Sequence, residues 1–179
     1  MTVRAARITL AVYLLATYAT LGSVRAVTNY LRDSGMLRVS VAVSFSIAAA
    51  CMLWLIFRDR RRRNVRTLVS LAAVGAIYAA AIVPMSSPEE KIHFIQYGVV
   101  ALLAYDAFPV RRRYLFAALF VLGAGWLDEG IQALLPSRFY DLRDVAFNAA
   151  AGVLALLARY AVTRERTDRS EALARDAAR

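Results

Sequence analysis

Six apolar runs separated by short charged connections make up most of this chain, covering residues 8–24, 39–57, 67–85, 92–108, 114–135 and 145–162. At about 1.5 Å of rise per residue, helices of these lengths reach roughly 25 to 33 Å, close to the thickness of a bilayer's hydrocarbon core. The pattern predicts an all-α polytopic membrane bundle of six transmembrane helices in one domain over 1–162, with a polar tail over 163–179. No internal repeat or second domain is expected. The connection over 25–38 spaces Val27, Tyr30, Leu31 and Leu37 among charges, and reads either as a short helix lying on the membrane surface or as a solvated loop.

Composition agrees with this class. The chain is 60% hydrophobic with a mean hydropathy of +0.49, too apolar for an ordinary soluble domain. Its formal charge of +10 does not point to nucleic acid, because the arginines gather at segment ends. Arg4 and Arg7, the cluster from Arg58 to Arg66, the triplet Arg111 to Arg113 and the tail from Arg159 fall on one side of the six runs. Arg25, Arg32, Arg38, Lys91, Arg138 and Arg143 fall on the other. This bias predicts both termini on the cytoplasmic side of the membrane. Removing the first run as a leader would spoil the alternation, and no small-x-small cleavage pattern follows it. The lone Cys51 lies in an apolar run and reads as a packing residue.

Threaded this way, Glu89, Glu90, Lys91, His93, Asp128, Glu129, Gln132, Arg138, Asp141, Asp144 and Asn148 all collect at the extracytoplasmic face. Ionisable groups at membrane depth normally face the bundle interior and mark a site. His93 and Tyr97 share a stripe at i and i+4, as do Asp144 and Asn148. Glu129 stands about 22 Å along the fifth helix and still inside the hydrocarbon, where a carboxylate must be paired, protonated or wet. Asp128 points about 100° away around the same helix and is expected to face another helix or the headgroups. The expectation is one outward-opening polar pocket with His93, Glu129 and Asp144 as candidate acid–base residues. Lys91, Tyr97, Gln132, Arg138, Asp141 and Asn148 are the candidate binding residues. The bland alternatives are a cap for His93, an ion pair with Arg138 or Lys91 for Glu129, and a salt-bridged turn for Asp141 with Arg138. Gly123, Gly125, Gly130 and the small residues 149–152 read as allowing close helix packing.

The segments EEKIHFIQYG, GWLDEGIQALLPSRFYDLRD and VAFNAAAG, spanning residues 88–152, resemble the VanZ-like family. The family's pattern has an acidic-basic pair ahead of His-Phe and an aromatic, then Glu-x-x-Gln, Pro-x-Arg, two spaced aspartates and an Asn before Gly. Lys91 to His93 is one residue shorter than the family's Lys-x-x-His. The resemblance implies a function at the cell envelope connected with glycopeptide and teicoplanin resistance, and it puts weight on His93, Glu129, Gln132, Arg138, Asp141, Asp144 and Asn148. It does not supply a reaction.

No phosphate loop, zinc-protease, nucleophile-elbow or CxxC motif occurs. Three functions therefore stand open. The first is binding or remodelling of membrane lipids or lipid-linked cell-wall intermediates. The second is an acid–base enzyme on such a substrate, with any divalent ion on Asp141 and Asp144 being magnesium or calcium rather than zinc. The third is a small proton-linked transporter. Cofactor and oligomeric state are not readable from the sequence.

Overall fold

The structure, a computed structural model, describes residues 1–58, 64–85, 88–135 and 140–177. Every element among them is an α-helix: α1 Val3–Asp33, α2 Leu37–Arg58, α3 Val65–Ile82, α4 Pro88–Ala107, α5 Arg113–Ala133 and α6 Leu142–Ala177. Side-chain caps set three of the starts. Thr2 accepts the Ala5 amide at 3.2 Å, Asn64 accepts that of Arg66 at 3.0 Å, and Asp141 accepts that of Arg143 at 2.8 Å. Each satisfies an amide that has no partner within its helix. After α1, Gly35 adopts a left-handed φ of 71°, which a residue with a Cβ disfavours. The chain turns there, so that Ala26–Asp33 and Leu37–Cys51 stand 110° apart.

Two boundaries differ from expectation. Most of the 25–38 connection is neither a separate surface helix nor a loop but the last turns of α1. At the other end α6 passes residue 163 without a break and carries the polar tail as helix to Ala177.

At the centre lies α4, packed against α1, α2, α5 and α6, while α3 packs on α6. Phe94, Tyr97, Gly98, Val100, Ala101, Ala104 and Ala107 are its buried positions, forming one continuous helix face. Ala117, Val121, Ala124 and Gly125 face them from α5, and Asn148, Ala151 and Leu154 from α6. Two contacts bring α5 and α6 unusually close. A Cβ added at Gly125 would meet Asn148 Cβ at 3.0 Å, and one at Gly152 would meet Val121 Cγ1 at 2.7 Å. Gly123 and Gly130, expected to do the same, have nothing within 4 Å of such a Cβ. They point away from the bundle.

Large apolar side chains cover much of the outer surface as well as filling the core. Ile8, Val12 and Leu15 of α1, Val39, Val43 and Ile47 of α2, Val69 and Ile77 of α3, Leu119 and Trp126 of α5, and Leu157 of α6 all face outward. Cys51 is exposed too, so it is not a packing residue of the core. Among the described residues four helical stretches are long and apolar enough to cross a membrane: Val3–Ser23, Val65–Ile82, Arg113–Ala133 and Leu142–Thr163. A fifth arises if the bent pair Ala26–Asp33 and Leu37–Cys51 counts as one span. Although α4 has a span's length, it carries Glu89, Glu90, Lys91 and Asp106. Lys91 and Asp106 are both partly buried in the bundle, which shields those two charges from lipid.

Candidate functional site

The N-terminal half of α4, the C-terminal half of α5 and the start of α6 lie at one end of the bundle. There the carboxylate of Asp128 is completely buried, and neither oxygen has a hydrogen-bond partner among the described residues. The nearest cationic candidate is His93, whose Nδ1 stands 3.8 Å from Asp128 Oδ2. That separation exceeds a direct hydrogen bond and lies within ion-pair range. His93 keeps 19% of its side chain accessible while Asp128 keeps none, so the imidazole is the exposed end of the pair.

Aromatic residues wall this pair in. The His93 and Tyr97 rings run parallel, 5° apart in orientation, with centroids 6.2 Å apart. The Tyr97 phenol lies within the electrostatic field of both Asp128 and Glu129. Tyr97 and Tyr18 each donate to the Ala124 carbonyl, at 3.4 and 2.9 Å, and thereby key α4 and α1 onto α5. Beside them Gln96 donates to Thr17 at 3.1 Å. The Tyr78 hydroxyl donates to the Phe94 carbonyl, and Phe94 in turn packs on Phe147 of α6.

Glu129 is 1% exposed and occupied differently. Its Oε1 accepts from Gln132 Nε2 at 3.2 Å, and its Oε2 accepts from the Asp141 amide at 3.3 Å. It therefore clasps the end of α5 to the head of α6. Asn148 is wholly buried against Gly125, and its amide oxygen and nitrogen have no hydrogen-bond partner among the described residues. Burial of such groups normally costs free energy unless they are satisfied.

Of the residues expected from the sequence, His93, Tyr97, Glu129, Gln132 and Asn148 gather here. Asp144, partly buried, opens α6 one turn above Asn148. The carboxylate of Asp141 is exposed and caps α6, so only its backbone reaches Glu129. Lys91 is partly buried and makes no hydrogen bond or ion pair to a described residue. Arg138 lies outside the described residues. No group of three or more His, Cys, Asp and Glu side chains placed to hold a metal occurs among the described residues. Asp128, Glu129, Gln132 and Asn148 form a polar centre within the bundle, with exposures of 0 to 2%, and His93 is its partly exposed member.

Asp128 is the residue that sequence reasoning set aside. The buried face of α5 is two residues wide, running through Ala117, Val121, Ala124 with Gly125, Asp128 with Glu129, and Gln132. Asp128 and Glu129 sit on its two flanks, one toward α4 and the other toward α6. The signal was present in the spacing: Asp128 falls four residues after Ala124 and four before Gln132.

A second charged cluster occupies the opposite end of α4. Arg159 of α6 binds Asp106 through both terminal nitrogens, at 2.6 and 3.3 Å, and lies over the Tyr105 ring at 4.3 Å. Arg7 of α1 donates to the Ala107 carbonyl at 2.9 Å. Comparison with protein-family models, curated proteins and solved structures returned no match.

Proposed function

We propose that this chain is a VanZ-like protein of the bacterial cytoplasmic membrane, six-span with both termini inside. In this reading it acts at the cell envelope on an anionic lipid or lipid-linked cell-wall precursor, and so affects glycopeptide susceptibility. The arginine distribution supports the orientation. At 22 and 20 residues, α2 and α4 add two helices of roughly 33 and 30 Å to the four apolar spans. The polar centre then faces the extracytoplasmic side.

One observation carries the functional reading: Asp128 is fully buried, neither of its oxygens has a well-aligned hydrogen-bond partner among the described residues, and it faces His93 at 3.8 Å with the Tyr97 phenol beside it. Glu129 spends both oxygens on the α5–α6 joint, whereas the Asp128 carboxylate is not engaged in holding two helices together and has His93 within ion-pair range. His93 is the natural relay between it and the surface, because an imidazole changes charge near neutral pH. This favours the second reading as well, an acid–base enzyme on a lipid-linked substrate, with His93 and Asp128 as the couple and Glu129 as a positioning residue. Transport has less support. Between His93 and Asp106 the buried α4 side chains are Phe94, Tyr97, Val100, Ala101 and Ala104, which provide no chain of ionisable groups.

The test measures susceptibility to teicoplanin in cells carrying each variant at matched membrane expression. Asp128→Asn and His93→Gln should abolish the effect of the protein while leaving its melting transition in place. Glu129→Gln should abolish it as well, with some loss of stability, since one of its two accepting oxygens becomes a donor. Arg138→Lys should weaken it by removing the bidentate fork. If Asp128→Asn and His93→Gln both match the unmodified protein, the centre is structural and the proposal fails.

A further inference from the structure

Away from the polar centre, α5 and α6 leave an apolar groove of about 330 Å³ between Tyr114, Ala118, Val153, Leu156, Leu157 and Tyr160. It opens to the outside of the bundle near the Arg111–Arg113 end. The Tyr114 and Thr163 hydroxyls lie 3.0 Å apart at that end, and Tyr114 packs edge-on against Tyr160. Arg111, Arg112 and Arg113 are all exposed there, and none has a carboxylate partner among the described residues. Arg113 stands 5.9 Å over the Tyr105 ring, and Tyr105 packs on Tyr114 of the groove wall. The nearby carboxylate, Asp106, is already committed to Arg159. A slot for hydrocarbon thus ends beneath three exposed arginines with no carboxylate partner among the described residues.

We propose that this groove holds one acyl chain of a phospholipid with an anionic headgroup, whose phosphate is bound by the Arg111–Arg113 triplet. The inference rests on the membrane reading and is independent of the His93–Asp128 centre. Charge complementarity identifies the occupant. Lipid tails are as apolar as leucine, so the groove by itself selects no lipid and only orients a chain. Selectivity comes from the arginines, which bind phosphate bidentately and attract anionic lipid from the adjacent leaflet. A zwitterionic lipid would fit the groove but would leave the triplet's net charge unanswered.

Native mass spectrometry of the full-length protein, given equal amounts of phosphatidylglycerol and phosphatidylcholine, tests this directly. The unmodified chain should retain one phosphatidylglycerol through delipidation. The combined R111Q, R112Q and R113Q variant should lose at least fivefold of that preference, the effect expected from even one basic residue beside an anionic surface. Ala118→Phe, or Val153→Phe from the facing helix, should expel the lipid whatever its headgroup. A photoreactive acyl chain on phosphatidylglycerol should crosslink to α5 and α6 at the groove in the unmodified protein, which needs no variant to fold. Undiminished preference in the arginine variant overturns the headgroup assignment. Crosslinks confined to other helices, or lipid retained by both phenylalanine variants, overturn the groove. Neither result would touch the reading of the polar centre, which the susceptibility assay addresses.

Discussion

Alanine at Gly152 should destabilise the protein, whereas alanine at Gly123 or Gly130 should not. The added methyl at Gly152 would sit 2.7 Å from Val121 Cγ1 and 3.2 Å from both Cβ and Cγ2 of the same residue. Optimal carbon contacts lie near 3.5 to 4.0 Å. Val121 is fully buried, so it has no solvent to swing into, and either its rotamer or the α5–α6 spacing must give way. Such overpacking typically costs about 1–3 kcal/mol. At Gly123 and Gly130 the same methyl meets nothing, so only the helix-propensity gain of alanine over glycine remains, worth up to about 1 kcal/mol. That gain is common to all three sites and cancels in the comparison. The gap between Gly152→Ala and the two controls should therefore be about 1–3 kcal/mol in the unfolding free energy, read by circular dichroism during denaturant titration in mixed micelles. Adding Val121→Ala removes both offending methyls, and the double-mutant cycle should then show a favourable coupling of about 1 kcal/mol or more. Equal effects at the three glycines, or an additive cycle, would show that α5 and α6 do not meet at this closeness.

Three further outcomes follow from the same geometry. Arg159→Lys keeps the charge but loses the two-nitrogen grip on Asp106 and the stacking on Tyr105; a drop of about 0.5–1 kcal/mol in micellar unfolding is expected, because the pair is partly exposed. Tyr18→Phe should cost about 0.6 kcal/mol or somewhat more in the same assay, the usual worth of an interhelical hydrogen bond in a membrane protein, and an effect indistinguishable from zero would remove the Ala124 contact as a link between α1 and α5. In a background with Cys51 replaced, cysteines at 87 and 140 should react with an impermeant maleimide from outside the cell and those at 62 and 112 should not. The opposite labelling would reverse the orientation.

Much of the architecture was legible because membrane helices announce themselves by length and apolarity, and each of the six runs corresponds to one helix, with the ends of three overrunning it by one to three residues. The extents of α1 and α6 were harder, since a polar helix that continues past the bilayer has no apolar period to mark it. Glu129 was legible from depth alone: a carboxylate at position 129 of α5 has to be enclosed, and it is 1% exposed. Its bond to the backbone of residue 141 was not, because that depends on how the α5–α6 connection folds back. Asp128 was expected to face another helix or the headgroups, and it does face another helix, α4; its weight in the site was the part not legible, because the sequence reading took one inward stripe on α5. With α4 on one flank and α6 on the other, two adjacent residues can both point inward. The close approaches at Gly125 and Gly152, against the open surroundings of Gly123 and Gly130, follow from the rotation of α5 and α6, which spacing does not fix.

The apolar stretch of α4 between its two charged ends also has an electrical meaning. His93 and Asp106 are thirteen residues apart, about 20 Å along the axis, and the buried side chains between them carry no formal charge. If α4 spans the bilayer as proposed, the voltage falls mainly across this insulating layer and each cluster sits near the potential of its own side. A proton moving between His93 and Asp128 travels only 3.8 Å, roughly an eighth of the hydrocarbon thickness. Moving it against 100 mV would then cost no more than about 0.3 kcal/mol, compared with about 2.3 kcal/mol for a charge crossing the whole field. Acid–base chemistry at the polar centre should consequently run at nearly the same rate in energised and depolarised cells.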